Sequence, residues 1–466
     1  MIPLSTPLRF LPLLPSELQL ATVLKSGQSF RWARFDTVHA SKPDVAAETA
    51  GAAPGAEDSK PALEAKEQLV QGEEWAFGWG DRTVVLRQDS QGIHYRSLYP
   101  PIPPYAAYAA DLKSDTTLPL LKSYFQLDTP LAPLYAEWAA KDAHFKKKVE
   151  AEGERLEGIR VLNQDPWECL ISFICSANNN ISRITLMVNR VCESLGAPLP
   201  HPTSFHPSTI HTLSSLSTLT PLPSPPSTPV LYAFPPPSAL TPSSTDPLLR
   251  ELGFGYRAPF IEWSANYLVD LAEEQKTTPL EYLESLRKGK FDGDLGGARE
   301  KLMEFKGVGR KVADCVALFS LGWKETVPVD THVFQIAIRD YSFPSSKTTA
   351  LTPVLHDRVC ARLQTLWGPH AGWAQQVLFF ADLKPSSGSA SPSPSPKKRS
   401  GSTTPSATTT VVRNKFEEEL KEIMENPGKR RRVSVKVELK EESGSESEGK
   451  VTKAVKKSGK TKKAAT

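Results

Sequence analysis

The segment LTPLPSPPSTPVLYAFPPPSALTPSSTD limits what this chain can fold into. Proline fixes φ and withholds an amide donor, and a run so poor in large apolar side chains cannot offset its chain entropy by burial. Residues 201–247 therefore read as a disordered Pro/Ser-rich insertion. A second stretch, residues 40–74, reads as a disordered acidic insertion, because Asp44–Glu74 holds 8 Asp/Glu against 2 Lys/Arg. Residues 385–466 form a Ser/Thr/Lys-rich tail expected to be disordered and basic. Removing the three segments leaves about 300 of the 466 residues, enough for one large core or two linked ones.

The remaining sequence changes period once. Up to residue 127, GQSFRWARF, EWAFGWGDRTVVLRQ and GIHYRSLY alternate aromatic or β-branched residues with polar ones between turn formers. They predict an N-terminal antiparallel sheet over residues 1–127, its first hairpin extended by the acidic insertion. From residue 128 to 384, apolar residues recur three and four apart, as in PWECLISFICSANNNISRITLMVNRVCESLG, where Pro166 suits a helix first turn. The fold class is α+β: a small sheet followed by a largely helical domain.

Net charge is +4, but its distribution matters more. Gly428–Thr466 carries 13 Lys/Arg against 5 Asp/Glu, so the expected folded part is nearly neutral and any nucleic-acid surface on it must be a local patch. Five cysteines, with no Cys-x-x-Cys pair, point to reduced thiols in an intracellular protein without a zinc or iron–sulfur site. No apolar run approaches membrane-spanning length, and the proline-broken, arginine-poor N-terminus does not read as a targeting peptide.

GDLGGAREKLMEFKGVGRKVADCVALFSLG sets two amphipathic helices around a Gly-x-Gly turn. Glycine permits positive φ, and the second helix would present unblocked amides to an anion, as in a contact with nucleic-acid phosphate. A plain glycine-capped helix connection is the ordinary alternative. Lys311 sharpens the choice. In the first turn of that helix its charge is unfavourable, so the ammonium is expected to titrate low and serve as an amine nucleophile. Cys315, four residues on, shares its face. Asp330, in VPVDTH, fits both a helix cap and a carboxylate that takes a proton or stabilises an oxocarbenium ion.

These motifs resemble the helix–hairpin–helix DNA glycosylase superfamily and, within it, the eukaryotic 8-oxoguanine DNA glycosylase/lyase family. The resemblance also rests on SGQSFRW, YFQLDTPLAPLY, QDPWECLISFICSANNNISRIT, LGFGYRAPF and WGPHAGWAQQVLFFADL, and spans residues 8–384 outside the two insertions. It implies that Lys311 attacks the sugar and forms a Schiff base, assisted by Asp330, followed by strand cleavage through β-elimination. It implies that the Gly27 carbonyl accepts from the N7–H of oxidised guanine. Phe379 and Cys315 would sandwich the flipped base and Gln375 would read its edge, with Gln376 the neighbouring alternative. Asn178, Arg183 and Arg257 would hold the orphaned cytosine, with Tyr256 wedged into the duplex. His332, Gly307 and Gly309 would contact phosphate, and a structural monovalent cation would sit on the hairpin carbonyls, with no other cofactor required. Arg310 departs from the family pattern and is expected to add a phosphate contact.

The implied substrate is double-stranded DNA containing oxidised guanine opposite cytosine, acted on by a monomer with no membrane partner. A glycosylase for other damaged bases and a non-catalytic DNA-binding hairpin protein are the competing readings. In the tail, Lys429–Arg432 suits a nuclear import receptor and Val435–Glu438 resembles a SUMO acceptor. Nuclear localisation is expected, with room for a mitochondrial pool.

Overall fold

The computed structural model describes residues 3–41, 68–102, 105–202, 230–344 and 350–383. All lie within one compact unit, Met1–Ser386. The sheet and the helical body both fall within it.

The sheet contains β1 (Leu4–Ser5), β2 (Arg9–Pro12), β3 (Ala33–Ser41), β4 (Gln68–Trp79), β5 (Arg82–Gln88) and β6 (Gly92–Tyr99). Its order is β1-β6-β5-β4-β3, all antiparallel, with β2 also on β6. The β3–β4 hairpin pairs Ala33 with Ala76 and Ser41 with Gln68. The ladder therefore consumes both ends of the expected acidic insertion, and only residues 42–67 of it fall outside the described residues. Alternation splits β5 between two cores. Val84 and Leu86 pack with Ile93, Tyr95 and Phe125, while Val85 packs with Ala76, Leu98 and Leu231.

Leu231 marks a second correction. Within residues 201–247, β8 (Leu231–Tyr232) pairs with β7 (Pro198–Leu199), and Ala233, Pro237 and Leu240 are buried. A Cβ on Gly78 would lie 2.5 Å from the Tyr232 carbonyl, so β4 and β8 approach as closely as they do only because that residue is glycine. The prolines contribute acceptors rather than disorder: Trp167 donates to the Pro235 carbonyl at 3.1 Å. Residues 203–229 lie outside the described set, as does the tail from residue 384.

Helices begin before residue 128, with α1 (Leu20–Val23), α2 (Ala106–Ser114) and α3 (Thr117–Tyr124). α4 (Leu131–Lys141), α5 (Ala143–Glu152), α6 (Pro166–Ile174) and α7 (Ile181–Leu195) follow. Beyond β8 come α8 (Thr245–Glu251), α9 (Ala258–Glu274), α10 (Pro279–Ser285), α11 (Leu295–Met303), α12 (Arg310–Ser320), α13 (Thr331–Tyr341), α14 (Pro353–Trp367) and α15 (Ala371–Asp382). Every residue of α6 is buried, which makes it the axis of the helical core. Pro166 sits in its first turn and Asp165 caps it, accepting from the Glu168 amide at 2.8 Å. Arg31 ties this axis to the sheet. It donates to Glu168 at 2.7 and 2.9 Å and to the Gly78 and Tyr232 carbonyls at 2.9 Å. Among the described residues no helix is long and apolar enough to cross a membrane.

Candidate active site

α11 and α12 form the expected hairpin. Gly307 turns it with φ +81°, where a Cβ would meet Phe260 at 2.9 Å and Ile174 at 3.3 Å. Gly309 departs from expectation. Its φ of −94° is extended backbone, and it serves as the N-cap of α12 without a side-chain cap. A Cβ there would meet nothing within 4 Å. The helices α6, α7, α11, α13 and α14 are each capped by a side chain, so α12 is unlike them in offering uncapped first-turn amides to an anion.

α12 carries Lys311 and Cys315 into a cavity of about 50 Å³ that Gly27, Asp330, Gln375 and Phe379 also line. Asp330 reaches it as the N-cap of α13, accepting from the His332 and Val333 amides at 3.0 and 2.8 Å. Capping and a place in the cavity thus coexist in one carboxylate. The Lys311 amine lies 5.3 Å from the ring centroid of Phe173, which stacks on Phe319 at 5.4 Å. This aromatic floor went unnoticed in the sequence because both residues read as ordinary helix core. A larger cavity, about 390 Å³, lies between Trp79, Tyr124, Phe234 and Arg287 and is lined by none of the candidate catalytic residues.

Electrostatics correct one expectation. Burial disfavours the charge on Lys311, but Cys315 and the Asp330 carboxylate outweigh it and hold the ammonium above its ordinary value. Burial pushes the Cys315 thiol up to about 11, against the pull of the neighbouring Lys311. A helix N-terminus alone would have shifted the lysine the other way.

The two neighbouring glutamines differ. Gln376 donates to the Ser26 carbonyl at 3.3 Å. Both line the cavity, Gln375 at 6% and Gln376 at 3% exposure. Gly27, with φ +78°, sits under Ile181, whose Cδ1 a Cβ would meet at 3.0 Å. His332 lines the rim rather than the cavity, edge-on to Phe379 at 5.4 Å and 3.0 Å from the Asp382 carboxylate.

The four residues expected around the orphaned base form a second cluster, with Asn178, Arg183 and Tyr256 exposed and Arg257 buried, and the last three side chains are already engaged with the protein's own backbone. Tyr256 donates to the Ala177 carbonyl at 3.1 Å, and Arg257 donates to Ala177 and, at 3.2 Å, to Asn178. Arg183 donates to Gly253 at 3.3 Å. Asn178 is exposed with φ +48°, while Asn180 caps α7 by accepting from the Arg183 amide at 2.9 Å. The asparagine run is therefore both a helix boundary and a presented polar edge. Arg310 pairs with Asp357 rather than standing free for phosphate. All five cysteines are buried and free, and among the described residues no His/Cys/Asp/Glu group could hold a metal ion.

An uncapped hairpin helix beside a pocket that pairs an amine with a carboxylate, over a largely helical core, is the arrangement of a helix–hairpin–helix DNA glycosylase. The model of the 8-oxoguanine DNA glycosylase N-terminal domain matches residues 10–170. The N-glycosylase/DNA lyase of Saccharomyces cerevisiae is 34% identical over 392 residues, 80% of this chain and 86% of that one. The N-glycosylase/DNA lyase OGG1 of Arabidopsis thaliana is 37% identical over 279 residues, 60% of this chain and 66% of that one. In fold, MBOgg1 bound to a low-affinity DNA ligand matches with a TM-score of 0.52 at 21% identity, covering 82% of this chain and 98% of its own. The apo form of the Clostridium acetobutylicum 8-oxoguanine glycosylase/lyase gives 0.50 at 22% identity, covering 82% and 99%. The chain belongs to the N-glycosylase/DNA lyase family.

Proposed function

We propose that Lys311 performs both reactions of this enzyme, which excises 8-oxoguanine from double-stranded DNA and cleaves the resulting abasic strand. The observation that carries the assignment is the single cavity joining Lys311, Asp330, Gly27, Cys315, Gln375 and Phe379. The Lys311 amine attacks C1′, the C1′–N9 bond breaks, and the base leaves with the bonding pair and a proton. The nitrogen then expels O4′, which leaves with the C1′–O4′ pair and takes up a proton; the ring-opened Schiff base makes the C2′ proton acidic, its removal expels the 3′ phosphate, and water then releases the lysine. The attacking amine must be neutral. Asp330 is the group placed to accept the ammonium proton, and its charge also favours the cationic sugar in the transition state. A flipped base displaces water from the cavity and weakens the hydration that supports the ammonium.

Oxidation converts N7 of guanine from acceptor to donor, so the Gly27 carbonyl selects the lesion. Phe379 and Cys315 flank the base and Gln375 reads its edge. Asn178, Arg183 and Arg257 hold cytosine, and Tyr256 fills the gap. Gly307, Gly309 and His332 serve the phosphates. A monovalent cation on the hairpin is structural in this reading. The hairpin carbonyls suit it, since Ser264 and Ala313 donate to Lys306 and Gly309 and no described donor bonds Gly307 or Val308. The protein works as a monomer, and Lys429–Arg432 directs it to the nucleus through an import receptor.

Borohydride trapping on a duplex with 8-oxoguanine opposite cytosine tests the chemistry. Lys311→Gln should keep duplex binding and lose both base release and the covalent adduct. Adduct formation by the variant at the unsubstituted rate overturns the assignment.

A further inference from the structure

A single carbonyl discriminates N7–H from a bare N7 only if it cannot move aside. Guanine would place an acceptor against it, and that repulsion disappears once the carbonyl can rotate. Gly27 is a poor residue for holding anything still, because glycine has the widest conformational range and this one occupies the left-handed region. The rigidity must come from its neighbours.

Most of it comes from one side. Ser26 Oγ donates to the Val23 carbonyl at 2.9 Å. Gln28 Nε2 donates to Ser26 Oγ at 3.0 Å and to the Arg160 carbonyl at 2.8 Å, while its Oε1 accepts from the Leu162 amide at 2.9 Å. Gln164 donates to the Gln28 carbonyl at 2.9 Å. These bonds fix the Ser26 hydroxyl and everything from Gln28 onward. The Ser26–Gly27 peptide plane has a separate hold. Its carbonyl accepts from Gln376 Nε2 at 3.3 Å, and Gln376, 3% exposed, projects from α15 beside Gln375. The Gly27 carbonyl lies in the next plane, Gly27–Gln28, and a fixed Ser26–Gly27 plane anchors the upstream end of the flexible glycine that sets its direction.

We propose that Gln376 is a positioning residue for lesion selectivity: its amide locks the Ser26–Gly27 peptide and thereby aims the Gly27 carbonyl. The inference rests on Gly27 reading the base. Both glutamines line the cavity, and the division is one of hydrogen bonds: Gln375 is left to read the base, while Gln376 donates to the loop that judges it.

The test uses the full chain and two lesion duplexes, one with 8-oxoguanine and one with 8-bromoguanine, which has bulk at C8 but no N7–H. Binding of both is measured along with cleavage of a preformed abasic site, which needs no base recognition. Gln376→Leu should narrow the 8-oxo/8-bromo affinity ratio by about three- to tenfold, the scale of one hydrogen bond, with abasic-site cleavage and melting temperature unchanged. Gln376→Glu, which sets a carboxylate against the Ser26 carbonyl, should narrow it further. An unchanged ratio in both variants overturns the proposal, and so does a parallel loss of abasic cleavage and stability, which would mark Gln376 as packing. Should the unsubstituted protein fail to distinguish the two duplexes, the Gly27 reading falls first and the proposal with it.

Discussion

Asp314 is fully buried on α12 and accepts from Arg299 Nε of α11 at 2.6 Å, with His356 Nε2 of α14 at 3.3 Å. This pair, rather than apolar contact alone, fastens the two hairpin helices together. Asp314→Ala leaves the Arg299 guanidinium, whose side chain is 10% exposed, without its counter-charge. Breaking a buried pair from one side costs about 3–5 kcal/mol, whereas replacing both partners with apolar residues is often close to neutral. Urea unfolding followed by tryptophan fluorescence should therefore show a loss of about 3–5 kcal/mol in Asp314→Ala and a smaller one in the Arg299→Leu, Asp314→Leu double variant. Arg299→Leu adds a pH signature. Burial already pushes Asp314 up to about 6 against the pull of Arg299, and removing that pull raises it further. A carboxyl titrating higher in the native than in the unfolded state binds more protons when folded, so stability falls as pH rises from about 4 through the native value. The single variant should lose most above neutrality and recover toward pH 5. A loss under about 1 kcal/mol in Asp314→Ala, or a double variant as unstable as the two singles summed, would refute this reasoning.

Gly307→Ala combines a left-handed φ of +81° with a clash against Phe260, and should destabilise by about 1–3 kcal/mol while weakening duplex binding equally for damaged and intact DNA; thermal melts and gel shifts check both. Arg183→Ala and Arg257→Ala should each relax the preference for cytosine opposite the lesion by about 1–3 kcal/mol in competition binding, and only Arg257, which is buried, should also lower the melting temperature. Equal losses against all four opposite bases would make them phosphate contacts. Deleting Gly428–Thr466, a segment of charge +8, should flatten the salt dependence of DNA binding and reduce nuclear accumulation while single-turnover excision is unchanged. A salt slope and import equal to the full chain would make the segment inert.

The sequence exposed what depends on local period and short spacing. Alternation revealed β3 to β6, and a proline after Asp165 revealed the start of α6. The Gly-x-Gly window placed Lys311 and Cys315 on one face, and Asp330 lay where a cap belongs. Non-local features stayed hidden. The composition around Leu231 reads as disorder, and only pairing with Pro198–Leu199 and burial against Val85 reveal a strand. The shift of Lys311 reversed sign because Cys315 and, nineteen residues on, Asp330 share its cavity. Nothing in the spacing of Arg310 and Asp357 announces an ion pair. The match to GWAQ favoured Gln375 over Gln376, but the bond that gives Gln376 a partner of its own goes to Ser26, at the other end of the folded unit.

In the proposed reading, in which Tyr256 and Arg257 meet the opposite strand, their hydrogen bonds to the 177–178 backbone make that recognition an exchange rather than an addition. A cytosine that takes Nη2 of Arg257 must replace the two carbonyls that nitrogen already holds. Each such bond is worth about 1 kcal/mol net, so the swap is nearly balanced and its sign follows from what the DNA offers. Cytosine paired with an intact guanine has its acceptors occupied and offers little in return. Cytosine deserted by its partner presents a carbonyl and a ring nitrogen together. The internal bonds thus subtract a fixed quantity from every encounter, and sites with a vacant cytosine recover it. Along undamaged duplex the arginine gains nothing by leaving its own backbone, and the enzyme can move on with its recognition groups still satisfied.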